Sequence, residues 1–261
     1  MKGARPLAVA AALALTALAA APAAAERLVI SLSNHRVLVT PSFSGVQLVL
    51  FGSVEEDNAA VSRRSGYDVV VTVTGPRESE RTRRKERVLG IWVNVESRAF
   101  IKVPSYLAVL SNKPVDAITN EDTQRRQQAG LENIQFPQRI GPDIADVVRD
   151  DPFRQAFLRL KKEHGLYIDQ PTAVTFLTPT LFRADVPLPA NAPFGIYEVE
   201  VKLFAGGAMV AQSTSALEVI KVGFEQFVAV AARDYGLLYG LATALLALLT
   251  GWFASVVFRR D

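Results

Sequence analysis

The chain contains no cysteine, only two histidines (His35 and His164) and, beyond the initiator, a single methionine, Met209. Without thiols there can be no disulfide framework, no lipid-modified cysteine anchor, no thiol nucleophile and no thiolate metal site. With so few imidazole and thioether groups a zinc or copper centre is not expected, and no metal or other cofactor is assigned. The motifs that announce common chemistries are missing too: GxSxG, HExxH, the phosphate-binding GxxxxGK loop and GxGxxG do not occur. His35 follows Asn34 in a turn-like step and His164 closes a helical pattern, settings in which a lone histidine is structural. Glu55, Glu56 and Asp57 are three successive acids in a polar stretch, read as solvated rather than as a cation site. No catalytic residue is assigned, and the chain is not read as an enzyme.

Net charge is also scarce where it would matter. The formal charge of +3 and the isoelectric point of about 9.2 suggest a polyanion partner at first sight. The excess belongs to the ends, however: Lys2 and Arg5 at one terminus, and Arg259 and Arg260 against Asp261 at the other. The stretch from 26 to 235 is neutral, which gives no argument for nucleic acid. At roughly 200 residues it is long enough to bury a core without covalent staples.

What the chain does have is a long apolar run. Residues Gly236 to Phe258 read GLLYGLATALLALLTGWFASVVF without one charge. As a helix this run is about 35 Å long, enough to cross a hydrocarbon core of about 30 Å with some tilt. Tyr235 and Tyr239 mark one interface, and Trp252, Phe253 and Phe258 approach the other. At the N-terminus Lys2 and Arg5 precede an apolar run, Leu7 to Leu18, and Ala23-Ala24-Ala25 supplies small residues after Pro22. That three-part pattern predicts a signal peptide over 1–25 and a mature chain beginning at Glu26. A single-span protein follows, its bulk exported and its tail 259–261 left in the cytoplasm, with the two arginines on the inner side.

The exported part divides by period. Residues 26–110 read as β structure: Leu28 to Ser33, Val37 to Thr40, Val46 to Phe51 (a continuous apolar run suited to a strand covered on both faces), Asp68 to Thr74, Val88 to Val95 and Ala99 to Val103. In Val88 to Val95, alternation puts Ile91, Val93 and Val95 on one face and Trp92 and Asn94 on the other. Residues 111–170 change to helical spacing. The clearest helix starts at the cap Asp151 with Pro152 in its first position, buries Phe153, Ala156, Phe157 and Leu160, and stops at Gly165. Pro114 to Asn120 and Pro142 to Val148 are expected as shorter helices. Residues 171–222 return to strands, among them Ile196 to Leu203, where Val199, Val201 and Leu203 alternate with Glu198, Glu200 and Lys202 as for a sheet with one wet face. Residues 223–235 form a juxtamembrane segment, read as helical because Phe224, Phe227, Val228 and Ala231 fall on one face. The predicted class is mainly β, an immunoglobulin-like sandwich split by a helical insertion, plus one C-terminal transmembrane helix; two small β lobes are the alternative. Tyr197 falls where the corner tyrosine of such sandwiches sits.

Two stretches are candidates for contact. Arg77 to Arg87 (RESERTRRKER) is the densest charge run, read first as a solvated loop or a protected edge strand. The sharper reading is a surface for anionic head groups or an acidic partner, formed by Arg83, Arg84, Lys85 and Arg87 with Trp92 and Asn94. In the membrane segment Gly236, Gly240 and Ala244, then Ala247, Gly251 and Ser255, line up small residues along a seam where another helix can approach.

Several stretches taken together resemble a known family: SFSGVQLVLFG (42–52), GYDVVVTVTGP (66–76), RRKERVLGIWVNVES (83–97), LPANAPFGIYEVEV (188–201) and the LYGL…GWF anchor (238–253). They are similar to the alphaproteobacterial putative transmembrane protein family, an uncharacterised group with this layout. The resemblance implies an inner-membrane protein facing the periplasm and, because members tend to be encoded beside permeases similar to sulfite exporters, a multispan permease as partner. It implies no catalytic residues. The leading expectation is thus a membrane-anchored periplasmic accessory or binding protein in contact with the lipid bilayer. The alternatives are a periplasmic hydrolase using carboxylates, with acids sharing one cleft, and a structural module that binds the envelope or its lipids.

Overall fold

The computed structural model describes residues 26–55, 66–140, 143–146, 148–223, 228 and 232–257. The segment read as a signal peptide, the acids Glu56 and Asp57, most of the juxtamembrane segment and the tail after Val257 lie outside the described residues.

Two sheets face each other across one core. The first has the order β1 (Arg27–Leu32), β3 (Gly45–Glu55), β12 (Leu181–Pro189), β11 (Val174–Phe176). The second has the order β10 (Tyr167–Pro171), β7 (Leu107–Ser111), β4 (Asp68–Thr74), β13 (Gly195–Ala205), β14 (Ala208–Lys221), β2 (Arg36–Val39). Each sheet draws strands from both sides of the central insertion, and the core between them does the same. It joins Leu48, Leu50, Val69, Val71, Val73 and Leu110 from the N-terminal side to Phe182, Val186, Val199, Val201 and Leu217 from the C-terminal side. The fold is therefore mainly β, with few helices and one long apolar helix at its C-terminal end. The Phe182 ring packs against Gly52, its cross-strand partner; a Cβ at residue 52 would lie 2.0 Å from the end of the ring, so no larger residue fits there without displacing it. Tyr197 donates its hydroxyl proton to the carbonyl of Pro193, four residues upstream, at 2.6 Å, which is the corner contact expected of that residue.

The second sheet is covered on its other face as well. A second core gathers Val70, Leu107, Val109, Tyr167 and Phe204 from that sheet with Phe100, Val103, Leu131, Phe136, Phe153 and Phe157. The insertion supplies most of this layer through α1 (Val115–Ile118), α2 (Glu121–Arg126), a single 3-10 turn at Leu131–Asn133 and α3 (Pro152–Glu163). Double cover explains the composition of β4, whose successive valines point to alternate cores. It also reassigns the run Val46 to Phe51. That strand is buried on one face only, with Leu48 and Leu50 inside and Phe51 42% exposed, because none of the described residues covers the outer face of the first sheet at that point.

Three further expectations change. Helix α3 begins as predicted, the Asp151 carboxylate accepting from the amides of Phe153 and Arg154 at 2.8 and 3.1 Å. Its buried stripe is rotated, however: Phe153, Arg154, Phe157, Leu158 and Lys161 face inward and Leu160 lies at the rim, 41% exposed. Two cations can face inward because carbonyls and rings receive them. Arg154 donates to the carbonyls of Glu132 and Ile134 and lies over the Phe136 ring, while Lys161 pairs with Glu80 above Phe157 and Tyr167. The expected helix at Pro142 to Val148 is instead a strand, β9 (Asp143–Asp146), paired antiparallel with β8 (Pro137–Ile140); a neighbouring strand edge outweighs weak local helical spacing. Finally, the wet face of β13 is partly roofed by the insertion. Lys202 is buried, donating to the Gln127 carbonyl and pairing with Glu200 at 2.9 Å.

Two outcomes follow for stability. Phe157 touches the rings of Phe100, Phe136 and Tyr167, so Phe157→Ala is expected to cost about 3–5 kcal/mol, measured by denaturant unfolding. Burial, with Tyr197, Glu80 and Glu78 nearby in turn, pushes the phenols of Tyr106, Tyr167 and Tyr197 well above their ordinary value. They stay neutral when folded but ionise near pH 10 when unfolded. Stability is therefore full below about pH 10 and falls as pH rises past it. Tyrosinate absorbance from these three should appear only together with unfolding.

Candidate contact surface: a β arm and an apolar helix

Of the two plain readings of the charge run, the protected edge strand holds and the loop does not. It is a twelve-residue strand, β5 (Arg77–Val88), paired along its length with β6 (Ile91–Pro104) and forming the edge of a third sheet in the order β5-β6-β8-β9. Charge on that edge keeps it from pairing further. A two-residue turn closes the hairpin, with Leu89 at φ 51° and Gly90 at φ 88°, the left-handed pair that matches strand twist. Val88 to Val95 is thus not one strand with a buried face. The chain reverses within it, and Val88, Leu89, Ile91, Trp92 and Val95 all stand in solvent.

The hairpin is continuous with the sandwich. β4 runs on through Gly75-Pro76 into β5, and β6 through Ser105-Tyr106 into β7. The two joints are bonded across, Gly75 amide to Tyr106 carbonyl and Ser105 amide to Pro76 carbonyl, each at 2.8 Å. One ribbon therefore starts inside the second sheet and ends as a free arm. Its base is fixed against α3. Phe100 packs against Phe157 in a tilted pair with centroids 5.0 Å apart, Arg98 lies 4.7 Å over the Phe153 ring and pairs with Asp151, and Lys161 pairs with Glu80. Beyond Thr82 and Arg98 the ribbon has solvent on both faces over about 20 Å.

This arrangement brings together every residue proposed for the contact surface. Lys85 pairs across the ribbon with Asn94, and Arg87 with Trp92. Arg83 and Arg84 stand next on the shaft. Arg84 is engaged by Glu86 at 3.0 Å and Glu96 at 3.5 Å; Arg83, Lys85 and Arg87 have no carboxylate partner among the described residues. Sequence reasoning missed Val88, Leu89 and Ile91, which form the apolar tip with Trp92. The available signal was Gly90 between two β-like runs, weaker than an Asn-Gly pair.

The seam residues lie on α4 (Gly236–Val257), whose span Gly236–Ser255 has a mean hydropathy of 1.8 and no buried residue. A Cβ at Gly236, Gly240 or Gly251 would meet nothing within 4 Å. The hydroxyls of Thr243 and Thr250 are spent on carbonyls of the preceding turn, which satisfies them without water. Among the described residues this is the one helix long and apolar enough to cross a membrane, which fits a single-pass membrane protein.

The remaining candidates do not converge. His35 bonds the Ala216 carbonyl at 3.1 Å, joining the turn before β2 to β14, and His164 caps α3, where its carbonyl accepts from Asn191. No group of three His, Asp and Glu gathers as a cation site among the described residues. Glu198 and Glu200 do share a polar cleft of about 450 Å³ with Arg77, Arg126, Lys202 and Gln212, but Glu200 is already engaged by Gln212 at 2.6 Å and by Lys202.

No curated protein matches the chain. The model of the family described as Putative transmembrane protein (Alph_Pro_TM) matches residues 27–260, nearly the whole of it. That description names a transmembrane protein, which the exposed apolar helix α4 fits, and the chain belongs to that family.

Proposed function

We propose that this is an accessory protein of the inner membrane, with its sandwich and arm in the periplasm and its last residues in the cytoplasm. The observation that carries the reading is α4. It carries no charge and its span is uncovered all round, and small residues run along one seam from Gly236 to Ser255. A helix of that kind packs closely against another helix in the bilayer. The partner that the family resemblance implies is a multispan permease similar to sulfite exporters. In this reading the domain contributes contact surface and the helix contributes attachment.

A carboxylate-based hydrolase is the second reading, favoured by the one cleft that Glu198 and Glu200 share. It requires Glu198 as the working acid or base, since Glu200 is tied to Lys202 and Gln212.

Affinity purification from native membranes in mild detergent tests the first reading. A stoichiometric multispan protein is expected, and Gly240→Leu with Gly251→Leu should abolish its recovery while leaving membrane insertion unchanged. Recovery of the chain alone under several gentle conditions would sink it. Orientation is checked separately. Because the chain has no cysteine, a single Thr175→Cys on the exposed edge of the first sheet should react with a membrane-impermeant maleimide in cells whose outer membrane has been opened. Labelling only after lysis would reverse the orientation.

A further inference from the structure

We propose that the arm is a second membrane contact: its tip, Val88, Leu89, Ile91 and Trp92, enters the interface of an anionic bilayer, and Arg83, Lys85 and Arg87 behind it bind the phosphate head groups. Four observations lead there, and none involves a protein partner.

The first is exposure. Leu89 is 100% exposed, Ile91 66% and Trp92 69%. Large apolar side chains grouped at the end of a projecting hairpin do nothing for the fold, because the arm is already fixed at its base through Phe100 and Val103. The second is the order of residue types along the arm. Apolar tip, tryptophan and then cations repeats the sequence of a bilayer surface from acyl chain to head group, and the long aliphatic stems of Arg and Lys allow their charges to stay in the head-group layer. The third is charge. The two acids of the free part, Glu86 and Glu96, both engage Arg84, which leaves Arg83, Lys85 and Arg87 for an outside anion.

The fourth is topology. β4 and β14 run parallel on either side of β13 and leave the second sheet at the same end, since Thr74 pairs with Glu198 and Val219 with Gly195. Pro76, where the arm starts, packs against Gly195. The arm and the chain to the membrane helix therefore issue from one end of the sandwich. The ribbon from Arg77 to Leu89 is about 40 Å long, and the chain from Lys221 to Gly236 spans at most about 50 Å. The tip can reach the bilayer in which α4 is held.

The chain has two tryptophans, so Trp252→Phe leaves Trp92 as the sole indole reporter. The full-length variant is reconstituted into nanodiscs of phosphatidylcholine alone and of phosphatidylcholine with phosphatidylglycerol. In the anionic discs Trp92 emission should shift to the blue and be quenched by lipids brominated near the head group, and both effects should fade as salt is raised. Changing Arg83, Lys85 and Arg87 to Glu should weaken tip binding at least on the order of 100-fold. Leu89→Ser should also weaken it, and neither change should alter the unfolding midpoint, because the substituted residues are exposed. Equal Trp92 emission in neutral discs, anionic discs and detergent overturns the proposal. So does a blue shift that appears only when a co-purified membrane protein is present, which would make the tip a protein contact. Failure to recover a permease leaves this test untouched, since it needs lipid alone.

Discussion

The structure depends on β4 being buried from both sides. Val69, Val71 and Val73 belong to the sandwich core, and Val70 to the layer behind it. A central strand of this kind leaves no tolerance for water on either face, so the insertion between the two β segments is structural. Without α3 and the aromatic cluster around Phe157, the rear face of the second sheet would expose Val70, Leu107, Val109 and Phe204 as one patch. Each core holds the other in place. The same strand also leads into the arm, whose base is fixed by contacts on the insertion. One segment thus links core, cover and projection.

Polar groups inside this second layer are consistent with that role. Lys161, Arg154 and Lys202 are all buried, and each is received by carboxylate, carbonyl or ring. Their cost is met locally, and they fix the register of α3 and α2 against the sheet more narrowly than apolar contacts would. Asp151 caps α3 and also receives Arg98 from the arm, so helix start and arm base are positioned by one carboxylate.

Legibility in the sequence followed how far each signal was local. The apolar C-terminal helix, the cap at Asp151, the corner at Tyr197 and the valine-rich β4 could all be read because each rests on neighbours within a turn or two. The charged surface Arg83, Arg84, Lys85, Arg87 was seen, but its shape was not: alternation through Val88 to Val95 resembles one half-buried strand, and only the pairing of Arg87 with Trp92 shows that the chain reverses at Leu89-Gly90. The face of α3 was misplaced because Arg154 and Lys161 look like solvent residues until their partners, distant in sequence, are known. Asp143–Asp146 became a strand for a similar reason, as its pairing with Pro137–Ile140 is not registered by periodicity. The cleft holding Glu198 and Glu200 forms only when the insertion folds over β13.

The shared exit of β4 and β14 also has a mechanical side. A pull on the arm loads β4 along its axis, and a pull on the membrane helix loads β14 along its own, from the same end and on either side of β13. The hydrogen bonds joining these strands to β13 run across the direction of pull, so they carry the load together in shear instead of opening one after another like a zipper. Force taken up at either point would therefore be shared among β4, β13 and β14, and the centre of the sheet would act as a stiff bracket between the arm and the helix.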